Sequence, residues 1–342
     1  MKTLSHTVRF LTPAFLGNAE QNGQWRTPPF KALLRQWWRM AVAEELKYDV
    51  SVIRRREADL FGVAADGGDS HKSRVRIRLS RWDEGRLAKK DWQSLGKTKH
   101  PEVHASVGAD LYLGYGPLEY NRDSRTTSLK KNAAIQAGEE AMFSLAFPEA
   151  YAAELEAALW LMNRYGTLGG RSRNGWGSFF LASANEHTPT LDGALPLRNW
   201  QDALKLDWPH ALGSDGAPLI WQTGRQNDWK AVMVDLAKLK IDLRTQFRFN
   251  SGKNADSPEM RHWLSYPVTN HSVKVWGNNA RLPNSLRFKI RQDETGKSHG
   301  VIFHVPCKPP QQFGSDENTL EAVWQRVHQY LDGLNAVSRI VK

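Results

Sequence analysis

One cysteine, Cys307, is all that the 342-residue chain contains. No internal disulfide can form and no CxxC pair exists for zinc, which fits a reducing cytoplasm. Long apolar runs are lacking as well. Nowhere do enough apolar residues follow one another to cross a bilayer, and Met1 to Phe15 lack the apolar core and cleavage site of an export signal. A cytoplasmic protein with no membrane partner is expected. Acidic residues are also scarce, with 36 Asp and Glu against 47 Lys and Arg, a net charge of +11. Such an excess attracts a polyanion by displacing its condensed counterions, although charge alone does not separate nucleic acid from an anionic surface or an acidic protein. The 14 tryptophans, several beside arginines, favour nucleic acid, because aromatic faces and guanidinium planes both stack on unpaired bases. With 40% hydrophobic and 24% charged residues the chain has a globular composition, and its length suits two cores.

Periodicity supplies the elements. Leu4 to Leu11 mostly alternates and predicts a strand that ends at Thr12-Pro13. Pro28-Pro29 open a helix whose apolar face carries Phe30, Leu33, Leu34, Trp37, Ala41 and Val42. The opposite face sets Lys31, Arg35 and Arg39 in one row, about 6 Å apart. Ser73 to Ser80 alternates strictly, placing Val75, Ile77 and Leu79 on one side of a strand and Arg74, Arg76 and Arg78 on the other. Asp110 to Tyr115 and Ala141 to Phe147 read as further strands. Between them Pro117 to Ala133 reads as a polar loop with Arg122, Arg125, Lys130 and Lys131. A helix over Tyr151 to Tyr165 stops at Gly166, and Trp176 to Ala184 gives a closing strand.

Without its insertions this half reads strand, helix, strand, strand, helix, strand, the order of a ferredoxin-like α+β domain with its helices on one face of an antiparallel sheet. From Ser183 to Pro218 periodicity fades. The expected division is therefore a first domain over 1–185, a linker or surface excursion over 186–218 and a second domain over 219–342. The second half offers a helix at Trp229 to Phe247, strands at Leu286 to Ile290 and Val301 to Val305, and a helix at Leu320 to Leu334. It reads as a repeat of the first fold.

The densest local signal is Gly166-Thr-Leu-Gly-Gly-Arg-Ser-Arg-Asn-Gly-Trp-Gly177, between a helix and a strand. Gly169 and Gly170 let backbone amides approach an anion, while Arg171, Arg173 and Asn174 add donors for phosphate oxygens. The bland alternative is a cap and bulge joining two elements. Gly170 and Gly175 have the spacing of a nucleotide-binding loop, but Trp176-Gly177 stand where its Lys-Ser should be and the helix precedes the loop, so ATP is disfavoured.

The segment Phe10-Leu-Thr-Pro-Ala-Phe-Leu-Gly-Asn-Ala, followed by Pro28-Pro-Phe-Lys-Ala-Leu-Leu-Arg-Gln-Trp-Trp-Arg39, resembles the opening of one family in the RAMP superfamily of CRISPR RNA-binding proteins. That family is the first RAMP subunit of the type III-B (Cmr) effector complex. Glu57-Ala-Asp-Leu-Phe-Gly62 and Arg281-Leu-Pro-Asn-Ser-Leu-Arg-Phe288 are similar too, while Asn18 departs from the family's second glycine. The resemblance implies two ferredoxin-like (RAMP/RRM-like) domains facing a basic cleft. It also implies a place toward the 3′ end of the crRNA, and partners that are crRNA, target RNA and other Cmr-complex subunits. Lys31, Arg35, Arg39, Arg171, Arg173 and Asn174 become its leading RNA contacts, and the helix row and the glycine-rich loop are expected to line the same cleft.

Against these stand plainer readings. Trp37 and Trp38 read as core and Arg54 to Arg56 as a solvated turn, whereas Lys130 and Lys131 suit a loop that orders on RNA as well as a merely polar one. Catalysis has the least support. His100 and His104 have a helical metal-pair spacing, but Pro101 breaks the helix and no HExxH glutamate is present, so no metal and no cofactor are expected. A metal-independent ribonuclease would have to conscript His6, Tyr165 or Lys31 as base and acid. The leading reading is a non-catalytic RNA-binding subunit. Its rivals are a RAMP endoribonuclease that processes CRISPR precursor RNA and a protein scaffold that caps the complex.

Overall fold

A computed structural model describes residues 1–63, 70–103, 106–186, 188–277 and 279–340. The chain forms two compact units: residues 1–94, 113–196 and 289–298 make the first, and residues 95–112, 197–288 and 299–340 fall in the second.

The first unit is built on strands β1 (Lys2–Phe10), β2 (Arg76–Leu79), β5 (Glu140–Phe147) and β6 (Phe179–Ser183). They lie in the order β6-β1-β5-β2, every neighbour antiparallel. Helices α1 (Thr27–Val42) and α3 (Ala152–Tyr165) cross over between strands, giving the ferredoxin-like order expected from the pattern. Register explains which face they cover. Leu4 opposes Leu145, which opposes Ile77, while Val8 opposes both Leu181 and Ala141, so the apolar members of all four strands share one face. Trp37 and Leu34 of α1 and Leu155, Leu159 and Met162 of α3 are buried with them. Each fully buried side chain of this size contributes roughly 1.5–3 kcal/mol. Trp38 and Met40 are buried as well, widening the apolar stripe of α1 beyond the face that its spacing marks. The second helix, α2 (Val50–Phe61), begins at Asp49, whose carboxylate accepts from the amides of Ser51 and Val52.

Between β2 and β5 the expected strand at Asp110 to Tyr115 is instead a short helix, Ala109–Gly114. The buried Asp110 carboxylate accepts from the amide of Leu111 and, at 3.2 Å, from that of Leu95, and these bonds favour a turn over an extended chain. The loop expected over Pro117 to Ala133 contains a hairpin of β3 (Leu118–Asn121) and β4 (Thr126–Leu129).

The second unit contains β9 (Ile220–Thr223), α4 (Trp229–Thr245), all but the first residue of β11 (Ser298–His304), α5 (Glu317–Asp332) and β12 (Val337–Arg339). With β10 (Leu286–Gln292) the strands follow the order β10-β11-β9-β12, which again places the first strand between the third and fourth. The stretch read as aperiodic before Pro218 holds β7 (Leu197–Asn199), a one-turn helix at Trp200–Ala203 and β8 (Leu212–Ser214), with Trp200, Leu204 and Leu212 buried. Among the described residues no helix is long and apolar enough to cross a membrane.

Candidate nucleic-acid interface

Two motifs more than 150 residues apart in sequence are stitched together by backbone hydrogen bonds. The turn after β1 donates from Leu11 to the carbonyl of Ser178, and it accepts at Pro13 from Gly177 and at Phe15 from Gly170. The Thr12 hydroxyl donates to the Gly175 carbonyl at 2.9 Å and accepts from the Ser178 amide at 3.0 Å. This approach needs glycine. A Cβ on Gly177, whose φ is +65°, would stand 1.8 Å from the Leu168 carbonyl oxygen, and one on Gly169, at φ +94°, would stand 2.7 Å from that of Phe15. The other side of the turn is held by the reciprocal bonds of Ala14 and Ile135.

The polar side chains of the glycine-rich loop are partly engaged within the protein. Arg171, in the left-handed region at φ +57°, donates from Nε to the Tyr115 carbonyl at 2.5 Å, yet the residue is exposed. Asn174 donates to the Leu113 carbonyl at 2.7 Å. Both therefore pin the loop to the turn that precedes the hairpin, and Arg173 lies half-buried. Beside the loop opens a cavity of about 280 Å³ with Phe15, Gly116, Pro117, Gly170, Lys130 and Lys131 among its lining residues. Lys130 and Lys131 are exposed at the foot of the hairpin, and Arg122 and Arg125 are exposed at its tip.

Sequence reasoning missed the residue that anchors the loop from behind. Lys289 is fully buried, and its ammonium donates to the carbonyls of Asn163 at 2.6 Å and Gly166 at 2.7 Å, at the end of α3. It also lies 4.6 Å from the centre of the Phe179 ring. A cation at a helix C-terminus answers the carbonyls left without intrahelical partners. Burial, followed by the nearby Arg291 charge, pushes the Lys289 ammonium well below its ordinary value. In the sequence it is one cation in an apolar strand, and nothing marks its partners.

The row on α1 forms as expected, but two of its members are not free. Glu57 of α2, 5% exposed, accepts from Arg35 Nε and from Arg39 Nε and Nη2, each at 2.6 Å. Burial pushes the Glu57 carboxyl up, but the bonds from Arg39 and Arg35 outweigh it and hold the group below its ordinary value. Lys31 donates to the Phe61 carbonyl at 3.0 Å, and burial together with Arg35 lowers its pKa. Lys31 and Arg35 line an open groove of about 460 Å³ with Thr27, Val75 and Ile77. This groove and the cavity at the glycine-rich loop have no lining residue in common. Arg74, Arg76 and Arg78 are exposed, the last two on the side of the sheet away from the helices.

Two of the three residues a ribonuclease could conscript are buried, whereas the third, Lys31, lines the open groove. His6 is 0% exposed and Tyr165 4% exposed. Burial lowers the His6 imidazole and raises the Tyr165 phenol. Trp37 and Trp38 are core, Arg54 and Arg55 are exposed, and Arg56 is paired with Glu154. Among the described residues no group of His, Cys, Asp or Glu is arranged to hold a metal ion; His104 lies outside them.

The model of a protein family described as the RAMP superfamily matches residues 7–179. No curated protein matches the chain. Among solved structures it is similar to apo Cmr1 from Pyrococcus furiosus, at 15% identity and a TM-score of 0.48, over 99% of this chain and 98% of that one. It is also similar to a chain of the type III-B Cmr-beta complex bound to cognate target RNA, at 12% identity and a TM-score of 0.47, over 95% and 99%.

Proposed function

This chain belongs to the RAMP superfamily, and on that premise we propose that it is a non-catalytic RNA-holding subunit of a type III-B (Cmr) CRISPR ribonucleoprotein. It would work in the cytoplasm and contact crRNA, target RNA or both toward the crRNA 3′ end, with other Cmr subunits as its protein partners. The observation that carries the reading is the convergence at the glycine-rich loop. The cavity between Gly170 and the hairpin foot has Lys130 and Lys131 in its lining and the exposed Arg171 next to it in the loop, and among the described residues no carboxylate lines it. Phosphate contacts of this kind hold a strand without reading its sequence, leaving specificity to base pairing with the guide. Placement in the Cmr complex rests on the residues the chain shares with that family in Phe10 to Arg39.

The burial of His6 and Tyr165 favours holding over cutting, because a general base must come within hydrogen-bond reach of the 2′-hydroxyl. Incubating the purified protein with end-labelled single-stranded RNA, in chelator and again in magnesium, tests this directly. The expected outcome is retarded, intact RNA in both. Cleavage at defined positions would replace this reading with that of a processing nuclease, and absence of binding would favour the capping scaffold.

A further inference from the structure

We infer that the cavity beside the glycine-rich loop is a subsite for one unpaired nucleobase, a claim that rests on the RNA-holding reading and names what part of the RNA enters. Phe15 is half-buried, and its ring belongs to an aromatic cluster. The Trp176 ring lies 5.3 Å behind it and the Trp92 ring 6.4 Å away. These neighbours pack against the ring, and Phe15 is among the residues that line the cavity. Pro117 and Leu129 add further apolar surface to the lining. Gly170 is another lining residue, and a side chain there would crowd the cavity wall, since a Cβ would come within 3.0 Å of Pro117 Cγ and 3.6 Å of Phe15 Cβ. A cavity with an aromatic residue and further apolar surface in its lining suits a flat aromatic solute, and base-on-aromatic stacking is indifferent to which base it is.

The rim supplies what a nucleotide needs beyond its base. Lys130 and Lys131 are exposed lining residues with no carboxylate partner among the described residues. Their ammonium groups suit the phosphates that flank an inserted base. The exposed amide of Gln21, another lining residue, offers both a donor and an acceptor for a base edge. An acidic peptide would match the lysines but leave the Phe15 face unused. A plain apolar side chain would leave the lysines unused.

The experiment compares the binding of a short single-stranded oligoribonucleotide with that of an abasic ribose-phosphate oligomer of the same length and charge. Wild-type protein is expected to prefer the base-bearing strand by about tenfold, the scale of one stacked base. Phe15→Leu, which keeps apolar volume in the cluster, should abolish that preference while the abasic strand binds as before. Lys130→Gln with Lys131→Gln should weaken both strands alike. Thermal melting of each variant separates loss of the slot from loss of the fold, and photocrosslinking of 4-thiouridine RNA to the peptide bearing Phe15 gives a readout in wild-type protein. Equal affinity of wild type for the two strands, or an unchanged preference in a folded Phe15→Leu, overturns the base subsite and leaves RNA holding intact. Failure of wild type to bind either strand overturns the RNA-holding reading itself.

Discussion

The buried ionic groups divide the cations of the first unit into those that build it and those available to a ligand. Glu57 is the clearest builder. It ties α2 to α1 through Arg35 and Arg39, whose own side chains remain 38% and 40% exposed, so part of each guanidinium stays in solvent while its other nitrogens are committed. Because the folded pKa of Glu57 lies below its ordinary value, the pairing stabilises the protein above the usual glutamate range and is lost as pH falls through the lowered value. Glu57→Gln is expected to cost about 1–3 kcal/mol at neutral pH, the scale of hydrogen bonds to a charged group, discounted for the exposure of the arginines. Melting the two proteins across a pH series checks this. The gap should narrow on acidification, and a constant gap would show that the carboxylate charge is not what stabilises. The arginine row itself is plain in the sequence from its four-residue steps. Its acid partner is not, because Glu57 comes from a different helix and no spacing relates the two.

At the level of elements, the glycine-rich loop is shaped more by what it touches than by its own composition. The sequence marks it as glycine-rich and basic, and Gly166 does end the preceding helix. It does not show that the turn at Thr12 to Leu16 lies against the loop, since that pairing joins residues far apart in the chain. Gly169→Ala places a side chain at φ +94° and 2.7 Å from the Phe15 carbonyl oxygen. A residue forced into such a conformation costs of order 1–3 kcal/mol. The damage is expected to be local, so amide hydrogen exchange should quicken over residues 13–18 and 166–178 while β1 and β5 keep their protection. Uniform quickening would mean that the loop is part of the global core instead. Legibility varied for a physical reason across the two units. In the first, one sheet face is covered and the strands alternate, so β1, β2 and β5 can be read from period two. In the second, β10 and β11 are buried along most of their length and read as apolar runs, and β9 and β12 span only Ile220–Thr223 and Val337–Arg339. The misreading at Asp110 to Tyr115 arises because so short a segment fits either period and nothing in the sequence shows that Asp110 accepts from the amides of Leu95 and Leu111.

For the whole molecule, the excess of +11 is the property on which the proposed RNA holding rests. Several cations are paired or enclosed: Arg35 and Arg39 share Glu57, Arg56 and Arg81 face carboxylates, and Lys289 is sealed inside the first unit. Among the exposed cations of that unit are Arg122, Arg125, Lys130 and Lys131 of the hairpin and its foot, Arg171, and the strand arginines. The central claim is that this outward charge holds RNA by its phosphates. Measuring the affinity for single-stranded RNA across a salt series, in wild type and in Lys130→Gln, Lys131→Gln and Arg171→Gln combined, tests it most directly. The account predicts steep salt dependence in wild type and a slope shallower by about 0.7 for each phosphate that the variant no longer neutralises, with the RNA intact throughout. A salt-insensitive wild type, or a folded variant with an unchanged slope, would contradict it.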